Sequence, residues 1–263
     1  MFRKLLSHAA IYGLAAQIPR LAGVFTLPIV TRYLITTDYG VAGVVTAYIV
    51  ALNMLQSLGL TVVMVNSFAH YPIRYKWVWR QLNGFLTLWS LVYGVMVGVV
   101  LYLVIPPEAE EHRIQISLLY CLPTMVFMGT ETQANLYYQL SQRPLPVAVR
   151  SFLAGVTGVG LNIYLIAYLK LGYMGWFYSY FFSAFVGFLA NGYSIYVRQQ
   201  LWPIMRFKWA RIKSSLRVSL PMVPHNLSYY LLDASDRLVL NTLQVPLPLL
   251  AFIMWPLALV AIS

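Results

Sequence analysis

Residues 82–105 read L-N-G-F-L-T-L-W-S-L-V-Y-G-V-M-V-G-V-V-L-Y-L-V-I, twenty-four positions without one charged side chain. A helix needs about 20 mostly apolar residues to cross the hydrocarbon core of a bilayer. A helix that is apolar all round sits in a membrane or a large buried core. Working outward, five further stretches meet the same rule, near 9–34, 41–65, 114–138, 147–169 and 176–197. A seventh runs from about 216 to 243. An eighth apolar stretch, 245–262, is weakened as a span by Pro246, Pro248 and Pro256.

Composition decides between membrane and core. The chain has 263 residues, 60% hydrophobic and 10% charged, with a mean hydropathy of +0.70. Soluble domains are about half apolar and about a quarter charged. Too few polar groups remain to cover a water-facing surface, so the reading is an all-α polytopic membrane protein. The net charge of +11 would suit nucleic acid, but the basic residues sit in short gaps between apolar runs, and nucleic acid is set aside as a partner. Cys121, the single cysteine, cannot form an internal disulfide and reads as a small packing residue. The first apolar stretch runs on too long for a cleavable signal peptide and lacks a small-residue cleavage site.

The gaps give the orientation. Arg3 and Lys4 precede the first span; Arg74, Lys76 and Arg80 follow the second; Arg143 and Arg150 flank the loop after the fourth. Arg198, Arg206, Lys208, Arg211, Lys213 and Arg217 lie between the sixth and seventh. The other connections carry Asp38, Glu108, Glu110 and Glu111. Lys and Arg concentrate in short cytoplasmic loops, so the N-terminus is expected in the cytoplasm. The basic linker 198–217, with Trp202, Phe207 and Trp209, reads either as an amphipathic segment on the inner leaflet or as an ordinary positive loop.

Polar groups at membrane depth are costly and point to function. Arg20, with Gln17 one turn before it, lies roughly 16 Å into the first span at 1.5 Å per residue. It calls for a water-filled cavity or a partner carboxylate. Glu131 in the fourth span, with Asn135 at i+4 and Gln133 nearby, would pair with Arg20 or bind a coupling cation. In the seventh span Asn226, Tyr230, Asp233 and Arg237 fall on one helical stripe, with Asp233 and Arg237 in the favoured acid-before-base order. His225 reads as packing, and Pro221 and Pro224 as a bend. The candidate substrate-binding residues are therefore Arg20, Gln17, Arg237, Asp233 and Asn226, with Glu131 and Asn135 for coupling or ion pairing. No phosphate-binding glycine loop, metal-ligand cluster or nucleophile elbow is present, and no loop holds a soluble catalytic domain. The reading is a non-enzyme without metal or cofactor.

Several short motifs carry a resemblance. Thr31-Arg32-Tyr33-Leu34 followed by Asp38-Tyr39-Gly40, the turn Leu171-Gly172-Tyr173-Met174-Gly175, and Ser235-Asp236-Arg237-Leu238-Val239-Leu240 resemble, in order and spacing, signatures of polysaccharide (O-antigen and exopolysaccharide) flippases. These belong to the multidrug/oligosaccharidyl-lipid/polysaccharide exporter superfamily. Ile18-Pro19-Arg20-Leu21-Ala22-Gly23 is similar to the first-helix arginine region of related peptidoglycan-precursor flippases. The resemblance runs nearly to Leu243. It implies 12 to 14 transmembrane helices in two lobes around a cavity. It also implies movement of undecaprenyl-pyrophosphate-linked oligosaccharide across the bacterial inner membrane for surface polysaccharide such as lipopolysaccharide. Arg20 would meet the pyrophosphate. Membrane lipids and other envelope-polysaccharide assembly proteins are the implied partners.

Against that pattern the chain supplies one six-helix lobe (1–197), the basic linker (198–217), the first helix of a second lobe (218–243) and an apolar tail (244–263). The family reads roughly "G…G-I-Y-x-V-A" after its seventh helix. Read one base out of frame, the codons of residues 244–256 can spell "G-x-x-x-x-x-G-I-Y-x-V-A". The expectation is a frameshift near Leu243 and an isolated chain of low stability. Three alternatives stay open: a cation-coupled exporter of small molecules using Glu131, a polytopic membrane glycosyltransferase or ligase, and a non-transporting scaffold. Short outer loops count against the second.

Overall fold

The structure, a computed structural model, describes residues 28–206 and 208–224 and the single positions 26, 228 and 239. Among the described residues it is helical, with no strand. Helix α1 is Thr36–Gln56, α2 Leu60–His70 and α3 Tyr75–Val104. A short 3-10 turn, Pro107–His112, leads to α4 (Arg113–Val126) and α5 (Met128–Leu140). Helix α6 is Pro144–Asn162, α7 is Tyr173–Gly192 and α8 is Trp209–Ser219. Both α6 and α7 end in wider π-helical turns, Ile163–Tyr168 and Tyr193–Arg198.

Among the described residues three helical stretches are long and apolar enough to cross a bilayer: Tyr75–Val104, Pro144–Tyr168 and Tyr173–Arg198. They match the fifth and sixth sequence spans within a few residues and the third at its C-terminal end, the helix starting about two turns before residue 82. Two other spans are not single helices. The expected 41–65 helix breaks at Ser57-Leu58-Gly59. Leu58 (φ 48°) and Gly59 (φ 70°) both adopt left-handed backbone, and a Cβ on Gly59 would come within 2.6 Å of the Ser219 carbonyl oxygen. Glycine alone provides both the conformation and the close approach. The expected 114–138 helix bends between Pro123 and Phe127. There the Ser90 hydroxyl donates to the Met125 carbonyl at 2.7 Å, the kind of contact that satisfies backbone groups at a kink in lipid. The seventh span also starts differently: Leu216 lies inside α8, which ends at Ser219 before Pro221.

Helices α3 and α4 pack most closely. Gly94 and Gly98, four apart on α3, leave room for α4: a Cβ at Gly94 would stand 2.3 Å from Met125 Cγ, and one at Gly98 3.4 Å from Cys121 Cβ. Small residues at this spacing let helices touch in lipid, where association depends on packing. Cys121 fills that seam, as a small packing residue should. The opposite stripe of α3, with Leu88, Leu91, Val92, Val95, Val99 and Leu103, is exposed.

Apolar side chains form two main clusters. One joins Val41, Val45, Tyr93, Val97, Ile116, Tyr120 and Phe177. The other joins Leu60, Trp79, Leu82, Tyr137, Ile195, Leu201 and Ile212. Along α3 the polar residues Asn83, Thr87 and Ser90 lie between them; along α4 and α5, Thr124, Thr130 and Gln133 do.

Most basic residues gather at one end, and all the described acids but Glu131 at the other. At one end the linker after α7 is fastened to α3. Arg80 donates through Nε to the Trp202 carbonyl (3.0 Å), and the Ile204 N–H donates to the Arg80 carbonyl (2.9 Å). A Cβ on Gly84 would overlap the Ile204 carbonyl oxygen at 1.9 Å. Helix α8 buries Ile212, Ser215 and Ser219 and exposes Trp209, Lys213 and Arg217. The basic linker is thus a packed amphipathic element rather than a free loop. The other end holds Asp38 and, around the 3-10 turn, Glu108, Glu110 and Glu111.

Candidate functional site

The acidic end shows what two of the sequence motifs do. Asp38 sits in the first turn of α1, only 9% exposed. One carboxylate oxygen accepts the Ile35 N–H at 2.9 Å, and the other accepts the Tyr173 N–H at 3.3 Å. The carboxylate therefore joins two helix starts, whose free N–H groups and positive dipole ends favour an anion. Gly172, at φ +56°, would place a Cβ 3.2 Å from Asp38 Oδ1. Tyr39 meets Trp176 edge-on, with centroids 5.1 Å apart. The Asp38-Tyr39-Gly40 and Gly172–Gly175 motifs are thus two halves of one structural clasp.

The groove between α5, α6 and α7 is different. It encloses about 200 Å³ and is lined by Glu131, Asn135, Arg150, Tyr180, Ser183 and Asn191, among others. Arg150 belongs to α6 and is 9% exposed. Its Nε donates to the Pro146 carbonyl at 2.6 Å, and its Nη1 donates to the Asn191 side-chain oxygen at 2.7 Å. The guanidinium carbon lies 4.3 Å from the centre of the Tyr138 ring, a cation–π contact that offsets part of the cost of burial. Tyr138 in turn shares a hydrogen bond with Ser194. Arg150 Nη2 is buried with no hydrogen-bond partner among the described residues. Among the described residues the one ion pair is Arg113–Glu110, 3.4 Å apart, so Glu131 lines the groove without a bonded cation. A buried guanidinium with an unused N–H, beside a carboxylate and two asparagines, can hold an anionic or hydroxyl-rich group.

A second cavity of about 220 Å³ lies between the two apolar clusters, its mostly apolar wall of Leu86, Met125, Phe188 and Trp202 interrupted by Asn83, Thr87, Ser90, Thr130, Gln133 and Tyr196. Among the described residues Asn83 Nδ2 and Gln133 Nε2 are buried without hydrogen-bond partners, although Thr130 and the Tyr196 hydroxyl are bonded at 2.7 Å.

Of the sequence candidates, Glu131 and Asn135 are brought together, one turn apart on the groove wall. Gln17, Arg20, Asn226, Asp233 and Arg237 lie outside the described residues, as do His225 and residues 240–263. Sequence reasoning missed Arg150 and Asn191. The sequence reading groups Arg150 with Arg143 as charges flanking the loop after the fourth span. Proline is well tolerated in the first turn of a helix, and α6 starts at Pro144. Arg150 therefore lies more than one turn inside the helix.

The fold is shared with solved transporters. A crystal structure of MATE in the bent conformation superposes with a TM-score of 0.51 at 18% identity, covering 81% of this chain and 52% of that one. A mutant of the Vibrio cholerae MATE transporter VcmN gives the same TM-score at 15% identity, covering 88% and 55%. The chain thus spans about half the length of these transporters. No curated protein sequence matches it. Helices and neighbours together define a multi-pass membrane protein of the MATE-like fold. The family model for polysaccharide biosynthesis proteins matches residues 5–246, and the chain belongs to that family.

Proposed function

We propose that the chain is the N-terminal lobe, with the start of the second, of a flippase. It moves polyprenyl-pyrophosphate-linked oligosaccharide across the bacterial inner membrane, with its N-terminus in the cytoplasm. The observation that carries this reading is Arg150, a residue lining a polar groove whose buried guanidinium keeps one N–H unbonded among the described residues. A cation at membrane depth is expensive and is kept where something uses it. Guanidinium suits phosphate by its forked, always-charged donors. Family membership supports the polysaccharide link. Arg20, Gln17, Arg237, Asp233 and Asn226 are proposed as further substrate-binding residues on the helices that complete the cavity, and envelope-polysaccharide assembly proteins as partners. The tail 244–263 is proposed to be read out of frame; DNA downstream of Ser263 that encodes no further membrane helices in any frame contradicts that.

The test is complementation in a strain lacking its polysaccharide flippase, with the gene in its complete open frame. Wild type restores surface polysaccharide, and Arg20→Ala fails at equal membrane abundance. No restoration by wild type contradicts the substrate assignment. A second reading, cation-coupled export of small molecules, draws on Glu131 and Asn135 sharing the groove. Under it, Glu131→Gln removes the dependence of drug efflux on a sodium or proton gradient. Under the flippase reading the wild-type gene confers no such efflux.

A further inference from the structure

A larger concavity, about 890 Å³, lies at the basic end and shares no residue with the groove. Helix α2 ends there at His70, the turn 71–74 leads into α3, and α8 forms the third wall with Arg211 and Ser215. Its charged side chains are all basic or neutral: His70, Arg74 and Arg211. The acids among the described residues are Asp38, Glu108, Glu110, Glu111 and Glu131, and none lines it. Neither arginine has an ion-pair partner among the described residues. The Arg211 guanidinium lies 4.2 Å from the Trp77 ring centre. That contact fixes its charge at the wall and leaves its edge donors available.

The same walls are apolar where water would be expected. Ile73 is 94% exposed, and Tyr71 and Trp77 are exposed beside it. Guanidinium, aromatic and aliphatic groups mixed at the end of spanning helices are the chemistry of the membrane–water boundary. A soluble anion would use the cations and leave Ile73 and Trp77 in water. A phospholipid uses both.

We propose that this concavity holds one anionic glycerophospholipid, its phosphate between Arg74 and Arg211 and its glycerol and upper acyl chain against Ile73, Trp77 and Val78. The proposal needs only that the chain spans a membrane, not that it is a flippase. It would tie α8 to the turn before α3 through a lipid.

The experiment is native mass spectrometry of the full chain released from nanodiscs of mixed phosphatidylglycerol and phosphatidylcholine. Wild type should retain phosphatidylglycerol in preference. Arg74→Gln with Arg211→Gln should lower retention on the order of tenfold or more, given the pull of each basic residue on anionic lipid. Arg32→Gln, at the other end, should change nothing, and the lysine pair Arg74→Lys with Arg211→Lys should keep most of the retention. Equal retention of the two lipids by wild type, unchanged retention in the glutamine pair, or displacement of the lipid by inorganic phosphate overturns the proposal. If the glutamine pair fails to fold, the lipid preference and phosphate competition of wild type decide alone.

Discussion

Asp38 and Arg150 are both charged, both 9% exposed, and both tie helices together. They differ in what is left over. Both Asp38 oxygens are engaged by backbone N–H groups at two helix starts. Arg150 spends Nε and Nη1 within the protein and leaves Nη2 without a partner. The fold accounts for the first charge completely. It accounts for the second only in part, and the unused donor is the one the proposed anion binding would engage. A motif residue can therefore be purely architectural, while the functional candidate sits where no motif pointed.

Substitutions should separate the two. The largest expected effect is on transport: Arg150→Gln should lower export per inserted molecule by about a hundredfold or more, the scale of losing a buried charge-assisted contact. Arg150→Lys should recover only part, since a point charge lacks the fork. Surface-polysaccharide export normalised to membrane abundance measures both, and near-normal export by the Gln variant would erase the distinction.

Asp38→Ala comes next, and acts on stability. It orphans the Ile35 and Tyr173 N–H groups, at roughly 2–4 kcal/mol. Thermal unfolding of detergent-purified protein should show a large fall, and an unchanged midpoint would mean that the clasp is redundant.

Gly172→Ala should cost about 1–3 kcal/mol, because its φ of +56° is glycine territory and the new Cβ would press on Asp38 Oδ1. In an Asp38→Ala background the steric part of that cost should shrink; additive costs would deny that the two motifs meet. Cys121→Ala, in the α3–α4 seam, should be the mildest, about 1 kcal/mol with no change in export.

The third, fifth and sixth spans were legible because lipid demands long apolar runs. The breaks at Gly59 and Phe127 were not, since hydropathy is blind to backbone conformation. The need for glycine at 59 arises from Ser219, 160 positions away in sequence. Glu131 and Asn135 were found as polar residues one turn apart within a span. Arg150 was hidden because it was counted with the basic residues flanking a loop, although Asn191, a lone amide inside the sixth span, was a signal that something polar faced it. The pairing of Asp38 with Gly172 had no sequence signal beyond their both being motif residues.

The most direct measurement sets Arg150→Gln beside Asp38→Asn in the flippase-deficient strain, scoring surface polysaccharide per molecule of inserted protein. The account predicts that Asp38→Asn lowers the amount of protein but leaves export per molecule near wild type, while Arg150→Gln inserts normally and fails to export. Equal export per molecule in both variants, or a loss in the Arg150 variant that tracks its abundance, would contradict it.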